Sequence, residues 1–412
     1  MSAAAVRWSA ALLVLAAIGV ASEARAFTLF DGDTLGLELR GYAQSAGGFQ
    51  DPGYEVPVLG SLASGFHAQV LRLQWFAQLG DSLTLDVHNR FVTYTSSSVL
   101  GAGLGDAVGI GASVVPQRTV NLQTTFIDEG GFRASHDIDR LALRVFFGAG
   151  EVVLGRQAIT WGHGSMFAVA DVWTQFSPFE LDQTEKPGID AARVLYYPTP
   201  GLELDFIVAD RGSLEDLSAG ARASMVAGSA DVYVAGGKFW QQIMAMAGVA
   251  LDMVDFKLRA EIAQGYDADA ARFRLPRGTI GADYFASDWS FSADYHFNGV
   301  GTPRAEDYVA QLSDPARARG ESYYLNRHYV GLASSYGGID RLRLSVAAIT
   351  NVVDPSVIVT PSLSYEFSDN ADITLGAFQG FGEKPVFDPG LQLRSEFGTY
   401  GGFYYAQFRG FF

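Results

Sequence analysis

Apolar and polar residues alternate with a period of two in many short segments of the chain. Residues 71–78, 83–88, 256–262, 289–298 and 341–348 all show this pattern. A period of two is typical of β-strands, in which neighbouring side chains point to opposite faces. Packets of about ten residues separated by turn residues are the signature of a membrane-spanning barrel. We therefore predict an all-β fold, a transmembrane antiparallel β-barrel.

A soluble β-sandwich would also alternate, so the membrane prediction depends on two further features. The polar face carries charged residues in mid-strand, such as Arg72, Arg259 and Glu261, and the apolar packets often end in aromatic residues, as interface girdles do. The last segment also alternates and stops at Phe412. An amphipathic last strand that ends in phenylalanine resembles the signal recognised by the bacterial barrel-assembly machinery. We expect that machinery and outer-membrane lipid as partners.

The lengths of the connections predict the number of strands. Barrel strands alternate in direction, so short and long connections should also alternate. Short turns are predicted at 80–81, 148–150, 199–200, 251–253, 287–288, 337–339 and 368–370, and longer loops at 46–66, 96–138, 158–188, 211–229, 265–275, 299–322, 351–355 and 381–400.

The interpretation of residues 230–250 decides the count. Splitting 230–250 into two strands would place every later long loop at the wrong end, whereas one long strand restores the alternation. Residues 213–226 are interpreted as a short loop helix capped by Ser213. The prediction is then about 16 strands, within a range of 14–18. A barrel of about 16 strands leaves an aqueous channel unless loops plug it.

The N-terminal segment indicates export. Arg7 precedes an apolar run over 10–21, and Ala24-Arg25-Ala26 fits a small-x-small cleavage site. The alternative is a membrane anchor, but the run has only about a dozen residues and a span needs about 20. We predict a signal peptide over 1–26 and an outer-membrane β-barrel over 27–412.

Composition excludes several other classes of function. The formal net charge is -16, which argues against nucleic acid as a partner because phosphates would be repelled. The chain contains no cysteine, so disulfides, thiolate metal sites and thiol nucleophiles are absent. His163 and Ser165 are too close in sequence to form a nucleophile–base pair, and the six histidines show no metal-ligand spacing. We expect no enzyme activity, cofactor or metal.

The most distinctive segment runs Gly155-Arg156-Gln157-Ala158-Ile159-Thr160-Trp161-Gly162 and is followed by Lys186-Pro187-Gly188-Ile189-Asp190. Here the chain resembles outer-membrane porin-like barrels with a G-R-Q strand end and a W-G at the start of a loop, including alginate-export-type barrels. The resemblance covers residues 139–200 and, more loosely, 395–412. It implies a large barrel that passes solutes or polysaccharide. The basic lumen cluster of an alginate exporter does not map residue by residue onto this chain.

Loop 158–188 is long enough to fold back into a barrel lumen. Arg156 and Gln157 stand where the preceding strand ends, and the planar Arg156 guanidinium could hold several loop carbonyls or carboxylates. The aromatic residues that could form a constriction are Trp161, Phe167, Trp173, Phe176 and Phe179. The alternative is an ordered outer cap with no role in selectivity.

The alternation also predicts which charged residues line the lumen. The basic set is Arg40, Arg72, Arg90, Arg144, Lys257, Arg259, Arg341, Arg343 and Arg409, and the acidic set is Glu38, Asp86, Glu203, Asp205, Glu261 and Asp294. An excess of cations would give a mild preference for anions, and cross-strand salt bridges would stiffen the wall. We therefore predict a weakly selective channel for small hydrophilic solutes, anions among them, or saccharides. The alternative is a non-conducting barrel that its own loops plug.

Overall fold

The structure is a computed structural model that describes residues 27–32, 34–97, 118–176 and 184–412. Strands dominate the described chain. They are β1 (Phe27–Asp31), β2 (Leu35–Asp51), β3 (Glu55–Val56), β4 (Gly60–Ser61), β5 (Ser64–Leu79), β6 (Leu83–Ser96), β7 (Gln123–Glu129), β8 (Phe132–Phe147), β9 (Gly150–Gln157), β10 (Ile189–Thr199), β11 (Leu202–Ala209), β12 (Ser218–Ala227), β13 (Ala230–Phe239), β14 (Gln242–Asp252), β15 (Phe256–Asp267), β16 (Arg272–Phe273), β17 (Arg277–Ala286), β18 (Trp289–Asn298), β19 (His328–Ile339), β20 (Leu342–Asn351), β21 (Ser356–Ser368), β22 (Ala371–Phe381) and β23 (Gly402–Phe411).

Eighteen of these strands form a closed antiparallel barrel, because the last strand, β23, pairs with β2. The barrel prediction is confirmed, but the count is 18 rather than about 16. The remaining strands are accessory: β3 pairs only with β4, and β1, β7 and β16 extend the wall beside β2, β8 and β15. Two short helices, α1 (Tyr308–Gln311) and α2 (Pro315–Ala318), lie in one loop, with 3-10 turns at Ala305–Asp307 and Phe397–Thr399.

The connections differ sharply between the two ends of the barrel. The short-turn end carries the turns 80–82, 148–149, 200–201, 228–229, 253–255, 287–288, 340–341 and 369–370. The long-loop end carries 52–63, 97–131, 158–188, 210–217, 240–241, 268–276, 299–327, 352–355 and 382–401. Because the direction of the strands alternates throughout, both chain termini of the barrel lie at the short-turn end. There the ring centroids of Phe27 and Phe412 are 6.2 Å apart.

The sequence prediction fails over residues 211–250, where the structure has three strands in place of one. β12 occupies most of the predicted helix and loop, and residues 230–250 are the hairpin β13–β14. The outward residues of β12 include alanines, which give a weak apolar signal, while the inward Met244 and Met246 of β14 are themselves apolar. The hairpin turns at Trp240, a residue with φ of 53° and no turn propensity. The sequence of 211–250 therefore lacks both a clear period-two alternation and a turn-forming residue at the hairpin.

The outer surface of the barrel is apolar and the inner surface is mostly polar. Outward side chains such as Val234, Ile280 and Leu332 are more than half exposed, whereas the inward Arg259 and Asp294 are buried. Aromatic pairs stand near the short-turn end, for example Trp289 and Tyr336, with ring centroids 4.7 Å apart. No helix in the described part of the chain is long and apolar enough to cross a membrane. The predicted signal peptide, 1–26, lies outside the described residues.

Candidate pore constriction

The loop between β9 and β10, residues 158–188, folds into the barrel lumen, and we call it the inner loop. Of this loop the structure describes 158–176 and 184–188. Trp161 and Trp173 are 1% and 2% exposed, and their rings meet edge to face with centroids 5.1 Å apart. The wall residues that pack against this end of the loop are Ile189, Ala191, Ile207, Ala209, Tyr233, Phe239, Trp240, Met244, Met246 and Ala263. The inner loop therefore packs on the apolar inward face of β13–β14.

Carboxylates of the wall hold the first described part of the inner loop, residues 158–176, which we call its first limb. The Trp161 indole donates to Asp205 over 2.8 Å, and the backbone N–H groups of His163 and Met166 donate to Glu261 and Asp294. These carboxylates belong to β11, β15 and β18. The first limb is thus fixed to widely spaced strands.

Phe167 extends the contacts of the loop to β18–β21 and to the loops 299–327 and 382–401. Its ring stacks on His296 of β18 with centroids 4.8 Å apart and packs beside Tyr324 and Tyr329. Ile349, Ile358 and Phe397 complete this buried cluster. The inner loop therefore contacts the wall on two sides instead of forming a cap above the barrel.

The second described part of the loop, residues 184–188, is bonded to the first limb and to the wall, and we call it the second limb. Lys186 forms an ion pair with Asp171, and Arg409 of β23 donates to the Thr184 hydroxyl over 3.1 Å. Burial raises the pKa of Asp171 to about 7, although the ammonium of Lys186 opposes that shift. The ion pair closes the loop on itself inside the lumen.

A cavity of about 780 Å3 remains between the inner loop and the wall formed by β20–β23. Its charged lining residues are Asp171, Lys186 and Arg409. The loop side also presents polar groups, whereas the wall side is small or apolar; the wall residues are Ala347, Ile349, Ile358, Thr360, Pro361, Ser362, Ala377, Phe378 and Tyr405. The described lumen is narrowed and off-centre, with its open part against β20–β23.

The predicted pore-lining residues of the wall mostly face the lumen. Those engaged in ion pairs or hydrogen bonds with other wall residues are Arg72 with Asp139, Arg144 with Glu151, Arg259 with Asp283 and Asp294, and Glu261 with Tyr233. Glu38 pairs with Arg40, and Lys257 pairs with Asp252, towards the short-turn end. Asp86, Arg90 and Arg343 share the inward face with His88 and Ile349.

The prediction is wrong for Arg341. This residue lies in the turn 340–341 with φ of 61°, and its guanidinium is 3.3 Å from Asp369 of the adjacent turn. It therefore lies on the rim of the short-turn end and does not line the wall. The reason is local, because the alternation was extended one residue beyond the start of β20 at Leu342.

Arg156 and Gln157 lie in the wall and outside the cavity lining. The Arg156 guanidinium bonds the Asp190 carboxylate over 2.7 Å and the carbonyls of Ile138 and Val120 over 2.8 and 2.6 Å. Gln157 donates to the backbone of its own strand and to the Ala191 carbonyl of β10. Both residues join the end of β9 to neighbouring segments. Phe176 lines the cavity, and Phe179 lies outside the described residues.

Sequence reasoning missed several wall residues of both charges that face the lumen. The basic ones are Arg140, Arg193, Arg222 and Arg277, and the acidic ones are Asp139, Glu151, Asp283 and Asp372. Arg140 could have been found, because it lies four residues before Arg144 on the same strand. Asp171 and Lys186 gave no periodic signal, since they lie in a loop.

His163 does not pair with Ser165. Its ring is 3.8 Å from the Asp231 carboxylate and stands edge-on to Tyr233, with centroids 5.1 Å apart. Among the described residues, no group of three or more His, Asp or Glu side chains is placed to hold a metal ion.

Known proteins share this fold without close sequence similarity. No protein-family profile and no curated protein matches the chain. Solved structures do: OccAB2 of Acinetobacter baumannii has a TM-score of 0.56 at 9% identity, covering 90% of this chain and 98% of that one. OpdK of Pseudomonas aeruginosa has a TM-score of 0.55 at 9% identity, covering 91% and 98%, and its structure with vanillate scores 0.53 at 10% identity.

The class defined by these neighbours is the outer-membrane porin. The chain has the fold of a porin-like β-barrel, as the resemblance in the sequence implied. The neighbours do not support the alginate-export type in particular. At such low identity the likeness concerns the fold alone.

Proposed function

We propose that this protein is an outer-membrane channel for passive, weakly selective passage of small hydrophilic solutes, with a preference for anions. The observation that carries the proposal is the cavity of about 780 Å3 that the inner loop leaves beside β20–β23. A barrel of 18 strands encloses a lumen too wide for side chains alone to fill. The inner loop reduces that lumen to the size of a small solute.

The preference for anions rests on the charges at the cavity. Two of its three charged lining residues, Lys186 and Arg409, are cations, and the third, Asp171, has a pKa raised by burial to about 7. Asp171 pairs with Lys186, and Arg409 pairs with Asp372, which does not line the cavity, so the lining residues together keep a net positive charge. Cationic linings favour anionic solutes in pores. OpdK, a neighbour in fold, has been crystallised with vanillate, which makes small carboxylates a reasonable first set of solutes to assay.

Planar bilayers test this proposal directly. Purified protein should give stepwise conductance, and a potassium chloride gradient should give a reversal potential of the sign expected for chloride preference. Proteoliposomes should swell faster in potassium gluconate than in glucose, an uncharged sugar of similar size. Silent bilayers at high protein load, with no swelling, would favour the alternative of a barrel plugged by its own loops.

Two further proposals concern how the protein reaches the membrane. We propose that residues 1–26 are removed as a signal peptide and that the C-terminal strand is recognised by the barrel-assembly machinery through Phe412. In support, the Phe412 backbone completes the pairing with Gly41 through bonds of 2.8 and 3.0 Å at the seam of the barrel. N-terminal sequencing of the mature protein should begin near Phe27, and deletion of Phe412 should reduce the amount of assembled barrel.

A further inference from the structure

A cluster of donor side chains lies on the lumen wall formed by β5, β6 and β8. It consists of Arg72, Gln74, His88 and Arg140, and we call it the arginine patch. The strand register places Gln74 opposite His88 and His88 opposite Arg140. Arg72 is two residues from Gln74 on the same strand and face. The patch therefore forms one continuous surface across three strands.

Several donors of the arginine patch lack an acceptor. Arg72 is 2% exposed and donates from one terminal nitrogen to Asp139 over 2.5 Å. Its Nε and its other terminal nitrogen have no hydrogen-bond partner among the described residues, and neither has either ring nitrogen of His88. A buried donor without an acceptor is costly, so such a patch favours any acceptor that reaches it.

The inner loop places one carboxylate, Glu185, against this patch. Its Oε1 accepts from the Gln74 amide over 2.9 Å. Its Oε2 lies 3.6 Å from the Arg140 guanidinium and 4.0 Å from that of Arg72. These last distances allow attraction between charges but are too long for good hydrogen bonds. The Glu185 side chain is still 28% exposed, so it occupies the open side of the patch.

The charge of the patch shows what Glu185 contributes. Arg72 and Arg140 carry two positive charges, and Asp139 pairs with both of them at 2.5 and 3.8 Å. Asp139 offsets one of these charges and Glu185 offsets the other. Without Glu185 the patch keeps an excess of positive charge that only the neighbouring Asp86 opposes, together with the vacant donors of Arg72, which is the chemistry that binds a carboxylate.

We propose that the arginine patch is a carboxylate-binding subsite of the channel and that Glu185 is a tethered competitor occupying it. This inference deepens the proposed function and rests on solutes reaching the lumen. A side chain held on the loop acts at a high effective concentration, so a dissolved carboxylate displaces it only when abundant. Weak occupancy of this kind also lets a permeating anion leave.

Glu185→Gln removes the competing charge while keeping an oxygen that can accept from Gln74. Saturation-transfer NMR with acetate on the detergent-solubilised barrel should show half-saturation at an acetate concentration about tenfold lower than in the wild type. The matched control is Glu203→Gln, since Glu203 is 29% exposed and pairs with a single arginine, Arg222. Because Glu203→Gln also leaves an arginine without its carboxylate, it measures the effect of lumen charge alone and should lower the half-saturating acetate concentration less than Glu185→Gln does.

Bilayer recordings provide the second measurement. Glu185→Gln should shift the reversal potential towards greater chloride preference, and acetate should block its chloride current at lower concentration than in the wild type. Glu185→Ala should behave in the same way, which excludes the new amide as the cause. Heat-modifiable gel mobility will verify that each variant is folded.

The outcomes separate the two proposals. If both Glu185 variants bind acetate no better than the wild type, Glu185 only holds the inner loop against the wall and the subsite is refuted. If Glu203→Gln strengthens acetate binding as much as Glu185→Gln does, general lumen charge explains the effect and the subsite is again refuted. Silent bilayers together with stronger acetate binding would refute the channel and support the subsite.

Discussion

The docking of the inner loop can be weakened at Trp161 without disturbing the barrel. The Trp161 side chain is buried against Trp173 and Phe239, with ring centroids 5.1 and 6.2 Å away. Truncating a buried tryptophan to alanine typically costs about 3–5 kcal/mol. Asp205 loses one donor in Trp161→Ala but keeps two bonds from Arg193, at 2.9 and 2.8 Å, so no carboxylate is left unpaired.

The cost of Trp161→Ala should therefore be near the lower end of that range, about 3 kcal/mol, and should fall on loop docking. The hydrogen-bonded strands do not involve the Trp161 side chain and should stay intact. We expect greater open-channel noise and higher single-channel conductance in planar bilayers, together with faster proteolysis within 158–176.

Phe206→Ala is the matched control, because Phe206 neighbours Asp205 in sequence but is 49% exposed on the outer face. It should leave noise, conductance and proteolysis of the loop unchanged. If Trp161→Ala gave wild-type conductance, noise and protease resistance, the argument that the inner loop narrows the pore through this contact would fail.

Three other changes test separate parts of the structure. Deleting 163–183 should raise single-channel conductance severalfold, and unchanged conductance would mean that the inner loop is not the constriction. Burial raises the pKa of Glu396 to about 7 from 4.5, so the native loops retain a proton that the unfolded chain releases. Their stability should fall as pH rises from about 4.5 to 7; hydrogen exchange over 382–401 at pH 5 and 8 should show this, and Glu396→Gln should abolish it. Val234→Arg, at an outward side chain that is 62% exposed, should lower the unfolding free energy in lipid by about 2–4 kcal/mol, and an unchanged urea midpoint would contradict its placement against lipid.

Sequence alone predicted the barrel and the loop bounds wherever turn chemistry and alternation agreed. The inner loop was predicted at 158–188, and the structure ends β9 at Gln157 and begins β10 at Ile189. Gly80 and Gly148, both with positive φ, mark turns that were found in the predicted places. At such positions local preference and the fold require the same residue type.

The errors arose where tertiary packing replaced the local signal. Met244 points into the lumen and would be polar in an open pore, but the inner loop covers it, so the strand lost its alternation. The ion pairs of the wall were also beyond prediction. Which carboxylate meets Arg72 or Arg140 depends on the register of strands far apart in sequence and on where the inner loop returns.

The apolar inward face of β13–β14, on which the inner loop packs, also constrains the order of folding. Phe239, Met244 and Met246 are at most 3% exposed, and an empty barrel would leave them in contact with water. A barrel that closed before the inner loop docked would therefore expose this apolar surface to water, which favours docking before closure over a late insertion of the loop. The loop that narrows the lumen thus also contributes to the stability of the closed barrel.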